Sequence, residues 1–149
     1  MKRSRRSANP GENSTKTADR TPLVLLVDDF QDNREMYAMY LEHAGLRVAE
    51  AGNGHEALDQ AFSLLPDLIV MDLSLPGIDG WEATRRLKGD PRTKHIMVMA
   101  LTGHALAGHS KGAIEAGCDA FVTKPCLPDR LLEEIRRMLA TSKKPKSGR

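Results

Sequence analysis

LIVMDLSLPGIDG, residues Leu68–Gly80, opens with four apolar side chains in a row, then a carboxylate, then a run of turn residues. A strand with one wet face alternates apolar and polar side chains. An unbroken apolar run matches a strand covered on both faces, as in a parallel sheet packed between two layers of helices. Pro76-Gly77 and Asp79-Gly80 suit the loop that leaves such a strand and the start of the helix after it. Asp72 would then stand at the carboxyl end of a buried strand.

The pattern recurs outward from this stretch in both directions. Leu23–Val27 and Ile96–Leu101 are nearly continuous apolar runs, and Leu46–Glu50 and Ala120–Val122 are shorter and more mixed, as edge strands are. A helical stretch follows each run. Asp32 with Glu35 has capping-box spacing for the first helix, Met36, Met39, Tyr40 and Leu41 supply its apolar side, and Gly45 ends it. Asn53 and Glu56 repeat the cap spacing for the second, with Ala57, Leu58, Ala61, Leu64 and Leu65 inward and Pro66 as the stop. The third spans about residues 79–88. The fourth covers about residues 106–116 and is weakened by Gly108 and Gly112. The fifth begins at Pro128 and carries Leu131, Leu132, Ile135, Met138 and Leu139 in one stripe. Five strands alternating with five helices give an α/β, doubly wound (βα)5 domain.

With 40% hydrophobic but only 4% aromatic residues among 149, the core must be aliphatic. No apolar stretch approaches the roughly 18 residues of a membrane span, and none follows the basic start soon enough for a secretory signal. Cys118 and Cys126 have neither disulfide nor metal-ligand spacing, so idle thiols in a cytoplasmic protein are expected. Residues 1–20 carry six basic and two acidic side chains, residues 141–149 four basic and none acidic, and residues 21–140 twelve basic and eighteen acidic. The expectation is a disordered basic tail over 1–20, one domain over 21–140 and a second disordered basic tail over 141–149. An acidic body is not itself a nucleic-acid-binding domain, and nine residues after Ala140 are too few for a helix-turn-helix.

In a doubly wound sheet, chemistry gathers at the carboxyl ends of the strands. Those ends hold Asp28-Asp29, Asp72, Thr102 and Thr123-Lys124-Pro125. Three carboxylates repel one another unless something positive joins them. Lys124 supplies one positive charge, and a hard divalent cation that takes carboxylate, water and phosphate oxygens supplies the rest. The cluster therefore suits Mg²⁺ and a phosphoryl group. Solvated loop acids and helix caps would explain any one of these residues, but not all five together.

These residues and their motifs resemble the receiver domain of bacterial response regulators, in its stand-alone form. The motifs are LLVDDF (Leu25–Phe30), IVMDLSLPGIDG (Ile69–Gly80), ALTGHA (Ala100–Ala105) and FVTKP (Phe121–Pro125), and the match spans about residues 22–140. The resemblance implies a flavodoxin-like sandwich with strand order 2-1-3-4-5. It makes Asp72 the phosphoacceptor, supplied by a sensor histidine kinase or phosphotransfer protein. Asp29 would hold Mg²⁺ directly, Asp28 mainly through water, and the Ser74 carbonyl and Asp72 would complete the protein ligands. Lys124 and Thr102 would contact phosphoryl oxygens, and Phe121 would change rotamer on activation. Family members often carry Tyr at that position, so a contact made by the phenol is lost here. The Lys124–Pro125 bond resembles the family's cis peptide. Output would pass through the face of the fourth helix, fifth strand and fifth helix to a downstream protein. The protein would be a monomer or a weak phosphorylation-dependent dimer, acting as a switch and not as an enzyme beyond its own phosphoryl transfer and autodephosphorylation.

Two other readings compete. A receiver-like binding module that works without phosphorylation would lack one of the acids or the Lys, and this chain keeps them all. A haloacid-dehalogenase phosphatase would want a second Asp two residues after the nucleophile, where Ser74 stands. His104 and His109 are five apart, which does not set them on one helix face for a metal.

Overall fold

The computed structural model describes residues 21–73, 80–102, 117–124 and 126–143. The basic tails up to residue 20 and from residue 144, Ser74, His104, His109, the expected fourth helix with its two glycines, and Pro125 with its expected cis bond lie outside the described residues.

Five parallel strands form one sheet: β1 (Leu23–Val27), β2 (Arg47–Ala51), β3 (Leu68–Asp72), β4 (Met97–Thr102) and β5 (Ala120–Thr123), in the order β2-β1-β3-β4-β5. This is the expected 2-1-3-4-5 order, and each strand lies within a residue of its expected place. Four helices are described: α1 (Gln31–His43), α2 (Gly54–Leu64), α3 (Gly80–Lys88) and a C-terminal helix (Pro128–Lys143). None is long and apolar enough to cross a membrane.

Successive residues of a strand point to opposite faces, so β1, β3 and β4 feed two cores at once. Val24, Leu26, Leu68, Val70, Met99 and Leu101 face one side, under Tyr37, Ala38 and Leu41 of α1 and Leu131, Ile135 and Leu139 of the C-terminal helix. Leu25, Val27, Ile69, Met71 and Val98 face the other, under Ala57 and Ala61 of α2 and Ala83 and Leu87 of α3. Each fully buried large aliphatic side chain contributes about 1.5–3 kcal/mol. Both faces of the sheet are thus anchored, and register is fixed strand by strand.

Several local expectations need correction. Helix α1 starts at Gln31 with Phe30 as its N-cap and no side-chain cap, so Asp32 lies inside the first turn rather than before it. There its carboxylate still faces the positive end of the helix. The buried face of α1 is Tyr37, Ala38 and Leu41, while Met36, Met39 and Tyr40 are exposed. The end of α2 also turns outward: Leu65 takes φ 48°, ψ 62°, and both Leu64 and Leu65 are exposed. Asn53 does cap α2, its side chain accepting from the Glu56 N–H at 2.9 Å, but Glu56 Oε1 accepts from Gly52 N–H, one residue before the cap. The C-terminal helix runs to Lys143, past the expected boundary at residue 140. No Gly or Pro intervenes before Pro145, and the Thr141 hydroxyl donates back to the Arg137 carbonyl at 3.1 Å.

Candidate functional site

The carboxyl ends of β1, β3, β4 and β5 open on the same edge of the sheet. Asp72 is the last residue of β3 and Thr102 the last of β4, paired strands whose register sets Asp72 beside Leu101. The chain continues Asp28-Asp29 from β1 and Lys124 from β5. Backbone bonds extend the sheet pairing past the strands: Asp28 N–H to Ala51 carbonyl at 3.1 Å, Leu73 N–H to Leu101 carbonyl at 3.0 Å, and Lys124 N–H to Thr102 carbonyl at 2.7 Å. The side chains of the site therefore hang from paired backbone rather than from free loops.

Asp28, Asp29 and Asp72 bring carboxylate oxygens within 4.8 Å of one another. Asp28 is 1% exposed and Asp72 2%, while Asp29 is open to solvent. Lys124 Nζ donates to Asp72 Oδ2 at 3.0 Å. Thr102 is buried at the end of β4. Phe121 stands exposed on β5, paired in register with Ala100. Asp28 Oδ1 accepts the Phe30 N–H at 2.9 Å, and its Oδ2 is buried with no hydrogen-bond partner among the described residues. Burial pushes the Asp28 carboxyl above the ordinary carboxylate range; the Phe30 N–H and Lys124 oppose that rise, and the charges of Asp72 and Asp29 add to it. Three acids against one Lys leave excess negative charge and an oxygen without a partner. An oxygen-ligated divalent cation of the size of Mg²⁺ fits both.

Of the residues singled out in the sequence, Asp28, Asp29, Asp72, Thr102 and Lys124 come together, Phe121 lies on the neighbouring edge strand, and Ser74 falls outside the described residues. One position reads only as a turn residue in the sequence, and another goes unnoticed there. Gly80 opens α3 directly behind the site: a Cβ there would lie 2.5 Å from the Asp72 carbonyl oxygen and 3.1 Å from Leu73 Cα. Arg34 is the other. Its Nη1 donates to the Asp28 carbonyl at 2.9 Å and its Nε to Glu50 Oε1 at 3.0 Å. A signal was available for Arg34, because a cation in the first turn of a helix opposes the helix dipole and so asks for a reason.

A family model described as the response regulator receiver domain matches residues 24–136. The chain is 37% identical over 116 residues to the polar-differentiation response regulator DivK of Brucella anthropi, covering 78% of this chain and 94% of that protein. Identity to the DivK of Brucella ovis is 36% over 119 residues, with 80% and 97% covered. Among solved structures, a putative response regulator from Chloroflexus aurantiacus superposes with a TM-score of 0.76 at 34% identity, over 81% of this chain and 99% of the other. The receiver domain of a sensor histidine kinase from Pseudomonas aeruginosa, with a magnesium ion coordinated in its active-site cleft, superposes with a TM-score of 0.74 at 29% identity, over 80% and 98%.

Proposed function

The chain belongs to the response regulator receiver family, and on that footing we propose that it takes a phosphoryl group onto Asp72 in a two-component phosphorelay. The observation that carries this reading is the ion pair between Lys124 and the buried Asp72, with Asp28 and Asp29 within 4.8 Å. The donor is a phosphohistidine on a sensor histidine kinase or phosphotransfer protein. A carboxylate oxygen of Asp72 attacks phosphorus in line, the O–P bond forms as the N–P bond breaks, and the imidazole leaves. Such transfer rests on positioning and charge neutralisation rather than on covalent help from the protein.

Each residue has a part in this. Asp29 would hold Mg²⁺ directly and Asp28 mainly through water, with Asp72 and the Ser74 carbonyl as the remaining protein ligands. Bound there, Mg²⁺ would supply positive charge that offsets the carboxylates and the incoming phosphoryl group. Lys124 exchanges part of its contact with Asp72 for a phosphoryl oxygen, and Thr102 donates to another. Inward movement of Thr102 frees space for Phe121 to turn in from its exposed position on β5. The face that carries β5 and the C-terminal helix then presents a changed surface to a downstream protein. The receiver unit runs from residue 21 through the C-terminal helix to Lys143, and the basic stretches outside it carry no site residue. The protein works as a cytoplasmic switch, monomeric or weakly dimeric when phosphorylated, and turns over nothing but its own acyl phosphate.

Acetyl phosphate with Mg²⁺, followed by borohydride trapping and mass spectrometry, tests the assignment. Label is expected on Asp72 and is lost in Asp72→Asn; efficient trapping on another acid would refute it. Turnover of small phosphate esters would favour a phosphatase instead.

A further inference from the structure

We propose that Arg34 is a positioning residue for the cation-binding turn, setting the Mg²⁺ affinity of the acidic cluster without touching it; this rests on the receiver reading above. The guanidinium makes its contacts away from the three site carboxylates. It donates to the Asp28 carbonyl and to Glu50, and its own amide donates to the Phe30 carbonyl at 3.0 Å. It lies over Gly52, where a Cβ would come within 3.3 Å of Nη1. Glu50 is on β2, and its carbonyl accepts from Gln60 of α2 at 2.6 Å.

Arg34 therefore links α1, the turn after β1 and the edge strand β2. Within that turn, Asp28 is tied at three points: its N–H to Ala51, its carbonyl to Arg34 and its Oδ1 to the Phe30 N–H. Asp29 lies between two residues that are both held, so the direction of its Cα–Cβ bond is set by the backbone. The Arg34 bond is the only one of the three made by a side chain other than that of Asp28 itself, and hence the one that a substitution can remove without changing a site acid.

Electrostatics alone points the other way. A fixed cation beside the pocket repels a second cation, so charge counting predicts tighter Mg²⁺ binding when Arg34 is neutralised. Arg34 also opposes the dipole of α1. Groups that orient metal ligands from behind change metal affinity by roughly 10–100-fold when lost, so geometry outweighs repulsion. The sign of the change separates the two accounts.

The experiment is calorimetric titration of the full chain with Mg²⁺ alone, at fixed pH and ionic strength, with melting curves for each variant. Arg34→Gln is expected to bind about tenfold more weakly than wild type. Arg34→Lys keeps the charge but not the two-pronged geometry, and is expected to fall between them. Arg47→Gln serves as the control: Arg47 also bridges through two nitrogens, to the Thr21 carbonyl at 3.1 and 2.9 Å, but at the opposite end of the sheet. It is expected to leave Mg²⁺ affinity unchanged. Equal or tighter binding in Arg34→Gln overturns the proposal, as does an equal loss in Arg47→Gln. Should Arg34→Gln fail to fold, wild-type affinity in Arg34→Lys overturns it. Absence of Mg²⁺ binding in wild type would instead defeat the receiver reading itself.

Discussion

Asp72 and Lys124 show what a single contact can hold in place. Asp72 is buried, and Lys124 Nζ donates to its carboxylate at 3.0 Å. Without divalent cation, Lys124→Ala is expected to lower the unfolding free energy by about 1.5–3 kcal/mol, the range for hydrogen bonds to charged groups. Saturating Mg²⁺ should restore part of that loss. Urea melts with chelator and with Mg²⁺ check both; an unchanged midpoint in chelator would deny the pair a stabilising role. Cys118 offers a test without the site. Burial pushes its thiol from 9.0 up to about 11, helped by the charge of Asp119 and opposed by a hydrogen bond with Thr84 and the charge of Lys88. Only the thiolate reacts, so at pH 8 the native protein should alkylate about a hundredfold more slowly at Cys118 than the unfolded chain. The rate should climb about tenfold per pH unit until the pH nears the thiol's raised value. Mass spectrometry after timed iodoacetamide pulses reads this. The site acids and Lys were legible in the sequence because each terminates an apolar run. Arg34 was not, since its target is a main-chain carbonyl, and a carbonyl leaves no mark on residue identity.

Elements were legible where burial is complete and ambiguous where it is partial. β1 and β3 are buried on both faces and stood out as apolar runs. In α1, residues 36–41 are all apolar, so spacing alone does not say which three face inward. The outcome turns on Tyr37, whose hydroxyl donates to the Cys126 carbonyl and so fixes the rotation of the helix. Leu64 and Leu65 had the right spacing for an inward face, but the left-handed backbone at Leu65 turns the chain away before they can use it. The contact between α3 and β3 depends on one missing methyl. Gly80→Ala places a carbon 2.5 Å from the Asp72 carbonyl oxygen, too close for any contact, so helix or strand must shift. Overpacking of this kind lowers stability by about 1–3 kcal/mol. The gain in helix propensity, up to about 1 kcal/mol, does not offset a clash with main chain. Because the displaced atom belongs to Asp72, labelling by acetyl phosphate should fall by more than the loss of folded protein. Equal stability and labelling in Gly80→Ala would contradict the close approach.

At the level of the whole molecule, an acidic body of twelve basic and eighteen acidic side chains concentrates three carboxylates at one edge. A cation that binds only the folded chain must stabilise it. At a free concentration a hundredfold above its dissociation constant, Mg²⁺ is expected to add about 2.7 kcal/mol. Thermal melts should rise by several degrees, and Asp29→Ala should abolish the rise; an equal rise in that variant would place the cation elsewhere. The bond from Tyr37 to the Cys126 carbonyl spans 89 positions of sequence, and it closes the face of the sheet covered by α1 and the C-terminal helix. The opposite face draws its buried residues from Leu25 to Val98. Among the described residues, a chain emerging from the ribosome has every fully buried member of that core in hand at residue 98, while the other core still lacks Leu131, Ile135 and Leu139. Until the C-terminal helix has been synthesised, Val24, Leu26 and Val70 have, among the described helices, only α1 to cover them. The phosphoacceptor strand β3 belongs to both cores, so the switch is assembled only once the ribosome has delivered the final helix.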